Sequence, residues 1–454
     1  MNETRGTRVL LSDPVSAIPQ LALPLAVAIF VQNLNGVTDA MWAAWLGADA
    51  LGGLGLAYPL YASIVGIGSG LAIGVAAAEA RAVGLGDREG ASGYAAQSFT
   101  ISLVISVALA IPLVIFAVPL MDAFGSGAAS REAVDYGMPF FSFGFFIIAS
   151  AVMSGILRGE GAAKESMAIQ VIGAATNIVL DPVLMYGLDM GVAGAGWATV
   201  IAGAVSLLLG LSFYARKKMF IVLRPRGMIP SARMSKEILY VGAPEAAELA
   251  TMSLINIPMN FIIVGVGGAS AVGFYTSAWR IAYLVLIPAQ AISGAIVSVC
   301  STEFARGRGD LVQRAFSFGT RISLKQTTIF AVVMAVLSYP LAMVFTASSS
   351  MDPYRGEMCI LIILLALMLP VMSQVFVGSA YLQALKHSEI GFLSSFIRNL
   401  IMVSGYFVAA ELFGVTMGIW VACSAIEIFG GTMMWLFARR YVRAFVSAHP
   451  CAPA

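Results

Sequence analysis

Charge is what this sequence has least of. Only 11% of its 454 residues are Asp, Glu, Lys or Arg, whereas soluble proteins carry about 25%. A chain of this length folding in water would have surfaces to cover and too few charges to cover them, so water is excluded as the main solvent. Histidine and cysteine are also scarce. The two histidines, His387 and His449, and the four cysteines, Cys300, Cys359, Cys423 and Cys451, form no CxxC or other paired spacing, which excludes a zinc site and a disulfide framework. A formal charge of +2 lacks the concentrated basic patch that nucleic acid demands. HExxH and GxSxG are missing, and both histidines fall near helix ends, so no enzyme and no cofactor are expected. The Gly66-Ile-Gly-Ser-Gly70 stretch has no following Lys-Ser or Lys-Thr and is no phosphate loop; it reads as a place where helices approach closely.

Hydrophobic residues make up 59% of the chain. No charge interrupts the runs from Glu89 to Asp122, Asp189 to Arg216, Arg280 to Glu303 or Lys325 to Asp352, and each membrane crossing takes about 20 apolar residues. The expected fold is an all-α integral membrane protein with twelve transmembrane helices, near 16–42, 50–78, 93–120, 134–157, 165–187, 191–214, 238–265, 270–298, 317–345, 357–384, 389–411 and 414–438. Met1 to Asp13 is polar and the first apolar run is of spanning length, so it reads as a helix and not a cleaved leader. Cytoplasmic loops collect Lys and Arg. Placing both termini in the cytoplasm puts Arg5, Arg8, Arg81, Arg88, Arg158, Lys164 and the cluster from Arg216 to Lys236 on that side, leaving Arg131 and Arg355 outside. The expected location is the cytoplasmic (inner) membrane of a cell.

The basic cluster divides the chain into an N-terminal lobe over 1–215, a cytoplasmic linker over 216–236, a C-terminal lobe over 237–443 and a tail over 444–454. The lobes look like copies. Leu46-Gly-Ala-Asp-Ala-Leu-Gly52 matches Gly267-Gly-Ala-Ser-Ala-Val-Gly273, Gly84-Leu-Gly-Asp87 matches Gly307-Arg-Gly-Asp310, Gly191-Val with Trp197 matches Gly414-Val with Trp420, and Ala215-Arg216 matches Ala438-Arg439. Six helices per copy give both lobes one orientation, so two pseudo-symmetric six-helix lobes are expected.

A charge inside a membrane helix costs about 2.5–3.5 kcal/mol on insertion scales, so each needs a reason. Asp39 is matched in the second copy by Asn260, Asn177 by Asn399, Asp181 by Val403 or Ser404, and Thr199 by Ala422. The first copy alone holds an acidic cluster. Asn177 and Asp181 share a helix face as i and i+4. Pro24 is expected to bend the first helix, and Pro182 to leave the Ile178 carbonyl without its helical donor. Two carboxylates in one low-dielectric site need a shared proton or a cation. Oxygen donors from Asp, Asn and Thr suit sodium, and the acids equally suit a proton relay; isolated helix-to-helix hydrogen bonding is the structural alternative.

Leu157-Arg-Gly-Glu-Gly161, Asn177-Ile-Val-Leu-Asp-Pro182 and Gly191-Val-Ala-Gly-Ala-Gly-Trp-Ala-Thr199 together resemble the signature of the multidrug and toxic compound extrusion transporters, most closely the prokaryotic branch related to the DNA-damage-inducible efflux proteins. That resemblance implies a two-lobed secondary antiporter that expels organic, mostly cationic, amphipathic compounds against H+ or Na+. It also implies a first-lobe coupling site at Asp39, Asn177, Asp181 and Thr199, with Na+ on these four if sodium is the coupling ion, and with Tyr136 beside them. Some members use a helix-seven glutamate, which points to Glu248 and Glu245 as second-lobe coupling candidates. Arg280, Arg398 and Glu427 are further intramembrane charges whose simplest role is ion pairing. The aromatic run around Phe140, with Met153, is a candidate adaptable pocket for flat cations, since Met and aromatic side chains repack readily. Small organic substrates and the lipid bilayer are the expected partners, and a monomer is expected. A flippase for lipids or lipid-linked oligosaccharides is the alternative of the same architecture. It calls for a cationic cavity, against the acidic membrane charges seen here.

Overall fold

The computed structural model describes residues 4–124, 127–216, 219–223, 229–346 and 354–449. Residues 217–218 and 224–228 of the expected linker, and 450–454 of the expected tail, lie outside the described residues. In chain order the helices are α1 (Arg5–Leu10), α2 (Pro14–Leu46), α3 (Ala48–Gly84), α4 (Arg88–Ile115), α5 (Ala117–Phe124), α6 (Ala128–Gly159), α7 (Ala163–Pro182), α8 (Val192–Ala215), α9 (Ala232–Ala305), α10 (Gly309–Val336), α11 (Ser338–Phe345), α12 (Arg355–Ala384), α13 (Ser388–Phe413) and α14 (Thr416–Ala448). Among the described residues eleven segments are long and apolar enough to span a membrane, and twelve when α10 with α11, bent by 65°, is counted as one span.

Local chemistry sets the ends of these helices. The Asp13 side chain accepts the Val15 N–H with Pro14 at the first position of α2, Asp87 accepts the Gly90 N–H at 2.8 Å, and Ser231 caps α9. α9 is one run interrupted at Gly268, whose φ of 70° breaks the helix where Gly47, at φ 128°, separates α2 from α3. Only glycine takes such angles at no steric cost. The halves therefore correspond through their turns: Gly47 to Gly268, Gly86 (φ 73°) to Gly307 (φ 68°), Gly161 (φ 81°) to Lys386 (φ 60°) and Gly191 (φ 58°) to Gly414 (φ 61°). This corrects the letter matching, in which Gly84 was paired with Gly307. Both motifs contain two glycines, and the backbone shows which one makes the turn. Counted from the Gly161 and Lys386 turns, Met402 and Tyr406 correspond to Asn177 and Asp181; counted from the Gly191 and Gly414 turns, Leu400 and the expected Ser404 do, and neither register gives the second half a carboxylate there.

Other expectations change in detail. The third helix, expected as one span to 120, stops at Ile115 and resumes as α5 after Phe116; α10 and α11 repeat this break at Leu337. α2 continues as a helix through Pro24 without interruption. α6 is interrupted instead, where Phe143 leaves helical geometry (φ −119°, ψ 24°) four residues after Pro139, as α9 is at Gly268. Proline removes a helix donor and crowds the preceding turn.

The chain forms two compact units, Met1–Ala250 with Ser301–Arg306, and Thr251–Cys300 with Gly307–Ala454. In the first, α3 packs on α6, α6 on α8, and α7 on both α2 and α8. Glycines bring these backbones together: a Cβ at Gly155 would stand 2.3 Å from the Ala72 carbonyl, and one at Gly70 2.4 Å from the Gly242 carbonyl. The second unit is built on α12 packed against α10 and α14, with Trp420, Tyr406, Met358 and Leu365 fully buried in its core. Many large apolar side chains remain exposed, among them Leu23, Trp45, Phe261, Val336, Val344 and Leu412. Lipid is the solvent that accepts them.

Candidate coupling site in the first unit

α2, α3, α6, α7 and α8 converge on one polar cluster. α2 presents Asn35 and Asp39 at i and i+4, and the Asn35 amide donates to Asp39 Oδ2 at 3.4 Å. α7 presents Asn177 and Asp181 on its own i and i+4 face, where they are 3% and 0% exposed. The carboxyls of Asp39 and Asp181 lie within hydrogen-bonding range of each other. Asn177 sits between them. In one orientation its amide donates to Asp39 Oδ1 at 3.1 Å and Asn35 Oδ1 at 2.8 Å while accepting from the Thr199 N–H at 3.2 Å. In the other it donates to Asp181 Oδ1 at 3.3 Å. Asp181 Oδ2 is buried with no hydrogen-bond partner among the described residues. Buried carboxyls in contact hold a proton between them or surround a cation.

α7 ends at Pro182 and passes into a single π-helical turn, Val183–Gly187. Gly194 of α8 lets this turn lie close, since a Cβ there would stand 2.7 Å from the Met185 nitrogen. Gly196 does the same for α6, with the Tyr136 carbonyl 2.3 Å from its would-be Cβ. The glycines of the Gly191–Thr199 motif thus set the spacing of the helices that carry the site.

Of the residues expected from sequence, Asp39, Asn177 and Asp181 come together. Thr199 joins through its backbone N–H; its hydroxyl donates to the Ala195 carbonyl at 3.0 Å. Tyr136 is buried in electrostatic range of both acids, with its ring 5.1 Å from Phe140. Sequence reasoning missed Asn35 and Tyr61. Asn35 was findable, one turn before Asp39 on the same face. Tyr61 of α3, also in electrostatic range of both acids and 5.6 Å from the Phe140 ring, had no signal in the sequence. Phe140 and Met153, expected to line a substrate pocket, are both 0% exposed. Phe140 packs among Tyr61, Tyr136 and Phe141, and Met153 packs against Gly210.

The glutamates expected in the second lobe fall with the first unit, whose boundary lies beyond them at Ala250. Glu245 is in charge range of Arg158 on α6, and the neighbouring Ala246 and Leu249 abut Gly70 and Gly66 of α3. The stretch carrying Glu245 and Glu248 packs there because three glycines of α3 leave a groove for it. In the second unit, Arg398 pairs with Glu427 at 3.3 Å and donates to Asn399 at 3.0 Å. Among the described residues no group of three or more His, Cys, Asp or Glu side chains could hold a metal ion.

The MatE family model matches residues 24–183 and 244–408. The chain belongs to the MatE family. Asp39, Tyr136, Asn177 and Asp181 all fall in the first matched stretch, and Glu245 and Glu248 in the second. This MatE protein is 22% identical over 419 residues to the multidrug export protein MepA of Staphylococcus haemolyticus, covering 90% of each chain. It is 23% identical over 350 residues to an FAD transporter of Shewanella oneidensis, covering 74% of this chain and 76% of that one. A crystal structure of a MATE in complex with MaL6 superposes with a TM-score of 0.94 at 27% identity, covering 98% of this chain and 100% of that one.

Proposed function

We propose that this MatE protein is a secondary efflux transporter that exchanges organic, mostly cationic, amphipathic compounds for H+ or Na+. The observation that carries the reading is the buried contact of Asp39 with Asp181, bridged by Asn177, with one Asp181 oxygen left unpartnered. Such a pair has an appetite for one positive charge, and that charge is either a proton or a small cation. Asp39, Asp181 and the amide oxygens of Asn35 and Asn177 are hard donors of the kind sodium takes. Occupation by the ion neutralises the acids, and a cationic substrate then loses its electrostatic partner. Ion and substrate therefore antagonise each other, and by linkage the antagonism is reciprocal.

The acidic character of the site favours cationic cargo over the anionic headgroups that a flippase of this architecture would move. With the basic loops inside, both termini face the cytoplasm, and the ion enters from the outer end of α2 and α7. The chain works as a monomer in the inner membrane, as a carrier and not as an enzyme. Purified protein in liposomes, given pH and sodium gradients separately, tests the reading. One gradient drives uptake of a fluorescent organic cation and the other does not; no response to either gradient would overturn it.

A further inference from the structure

The second unit carries an intramembrane charge that the expected ion pairing does not absorb. Arg398 closes onto Glu427 and Asn399. Arg280, on α9 beyond the Gly268 break, is exposed and makes no hydrogen bond or ion pair among the described residues. The acids of the unit's interior are committed elsewhere. Glu427 faces Arg398, Glu357 accepts from Thr416 and from Trp420 Nε1, and Glu411 stands two residues from the end of α13.

Depth makes an unpaired arginine costly. Gly267 packs on Thr416, the first residue of α14, and Leu412, Phe413 and Val415 just before it are exposed. Side chains of that kind face lipid, so hydrocarbon reaches at least to this end of the unit. Arg280 lies twelve residues beyond Gly268, about 18 Å deeper along the helix axis, in a hydrocarbon core about 30 Å thick. Arginine cannot escape the cost by shedding its proton. A charge near the middle of the membrane faces a partner or water, and not lipid. With no partner in place, the strip of α9 that exposes Thr276, Arg280 and Leu284 borders water.

The neighbours of Arg280 select what that water gives way to. Trp279 and Tyr283 lie to one side of it on the helix, their rings 5.5 Å apart and tilted by 41°, Trp279 half-buried and Tyr283 exposed. A guanidinium offers paired N–H groups that fit a carboxylate on two prongs, and aromatic faces take a flat apolar body. Lipid headgroups also bring oxyanions, but theirs sit at the membrane surface and not at this depth. We propose that Arg280 is a cargo anchor of the second unit, holding the carboxylate of a flat aromatic compound whose ring lies against Trp279 and Tyr283. The inference rests on the exchange reading only in taking the bound compound to be cargo.

The test measures binding of one rhodamine, as its free acid and as its methyl ester, to the full-length protein in detergent. Arg280→Gln should weaken the free acid about ten- to a hundredfold, the worth of hydrogen bonds to a charged group, while the ester loses nothing. Arg280→Lys keeps the charge without the fork and should recover part of the loss. Equal loss for both dyes, or loss for neither, overturns the inference. In the parent protein a water-soluble phenylglyoxal reagent should modify Arg280, read by peptide mass spectrometry, and the free acid should protect it more than the ester does. An Arg280 that stays unmodified, or that phosphatidylglycerol protects and the free acid does not, overturns the inference even if the variants fail to fold. Failure of the exchange reading shows separately, as methyl-ester transport by the parent protein that neither a pH nor a sodium gradient drives.

Discussion

α7 buries the carboxyl of Asp181 and α13 the phenol of Tyr406, and the two halves treat burial in opposite ways. Tyr406 is 0% exposed, its hydroxyl lies 3.0 Å from that of Tyr275, and Tyr275 in turn stacks on Trp420, which donates to Glu357 at 2.9 Å. Asp181 is equally buried and keeps an oxygen with no hydrogen-bond partner among the described residues. The buried intramembrane charges of the second unit follow the same division, Arg398 being closed onto Glu427 and Asn399. A duplicated fold thus has one half in which the buried charges Arg398 and Glu427 are paired and another in which a buried Asp181 oxygen stays open to a passing ion. Satisfied networks fix a conformation, and unsatisfied ones are costly unless something comes to fill them.

The largest effect expected from disturbing this contrast is loss of coupling. Asp39→Asn or Asp181→Asn removes the charge at nearly constant volume and should abolish gradient-driven transport in liposomes at normal expression. Tyr406→Phe, on α13, should leave the coupling stoichiometry unchanged. Glu248→Gln should slow transport less than Asp181→Asn, and the reverse ranking would move coupling onto α9. Next in size is stability of the second unit. Glu427→Gln strands the Arg398 charge in the core and should cost about 3–5 kcal/mol, while replacing both by well-packed apolar residues should be close to neutral. Thermal unfolding in detergent separates these outcomes.

A smaller contrast lies in the glycines. Gly155→Ala drives a Cβ into the Ala72 backbone, whereas Gly378→Ala meets the flexible Met434 side chain at 2.6 Å. The first should cost about 1–3 kcal/mol and the second less than that. The smallest effect is a slope with pH. Glu160 is raised from an ordinary 4.5 to about 7 by burial, so between those values the folded chain binds more protons than the unfolded one. Its contribution is full below about 4.5 and is lost as pH rises to about 7. The melting temperature should fall across that window in the parent protein, and Glu160→Gln should flatten the fall.

Asp39 and Asp181 were legible because a charge in a membrane helix is expensive enough to stand out from a single sequence, and Asn177 because it lies one turn from Asp181 on the same face. The twelve spans were legible for the same reason in reverse. Tyr61 was not, since an aromatic in an apolar helix is unremarkable until the rotation of α3 about its axis is known. The register of the repeat failed in a similar way. Gly84 and Gly86 are the same letter, but only Gly86 adopts a positive φ, and matching letters cannot weigh a dihedral angle.

The π-turn after Pro182 works as a fastening. A turn of this kind holds one residue more than an α-turn, so Val183–Gly187 widens the last turn of the span that carries Asp181. From within it the Tyr186 hydroxyl donates to the Trp42 carbonyl at 2.5 Å. One hydrogen bond thereby stitches the chain just past Asp181 to the helix just past Asp39, and the two acid-bearing helices share an anchor at that end.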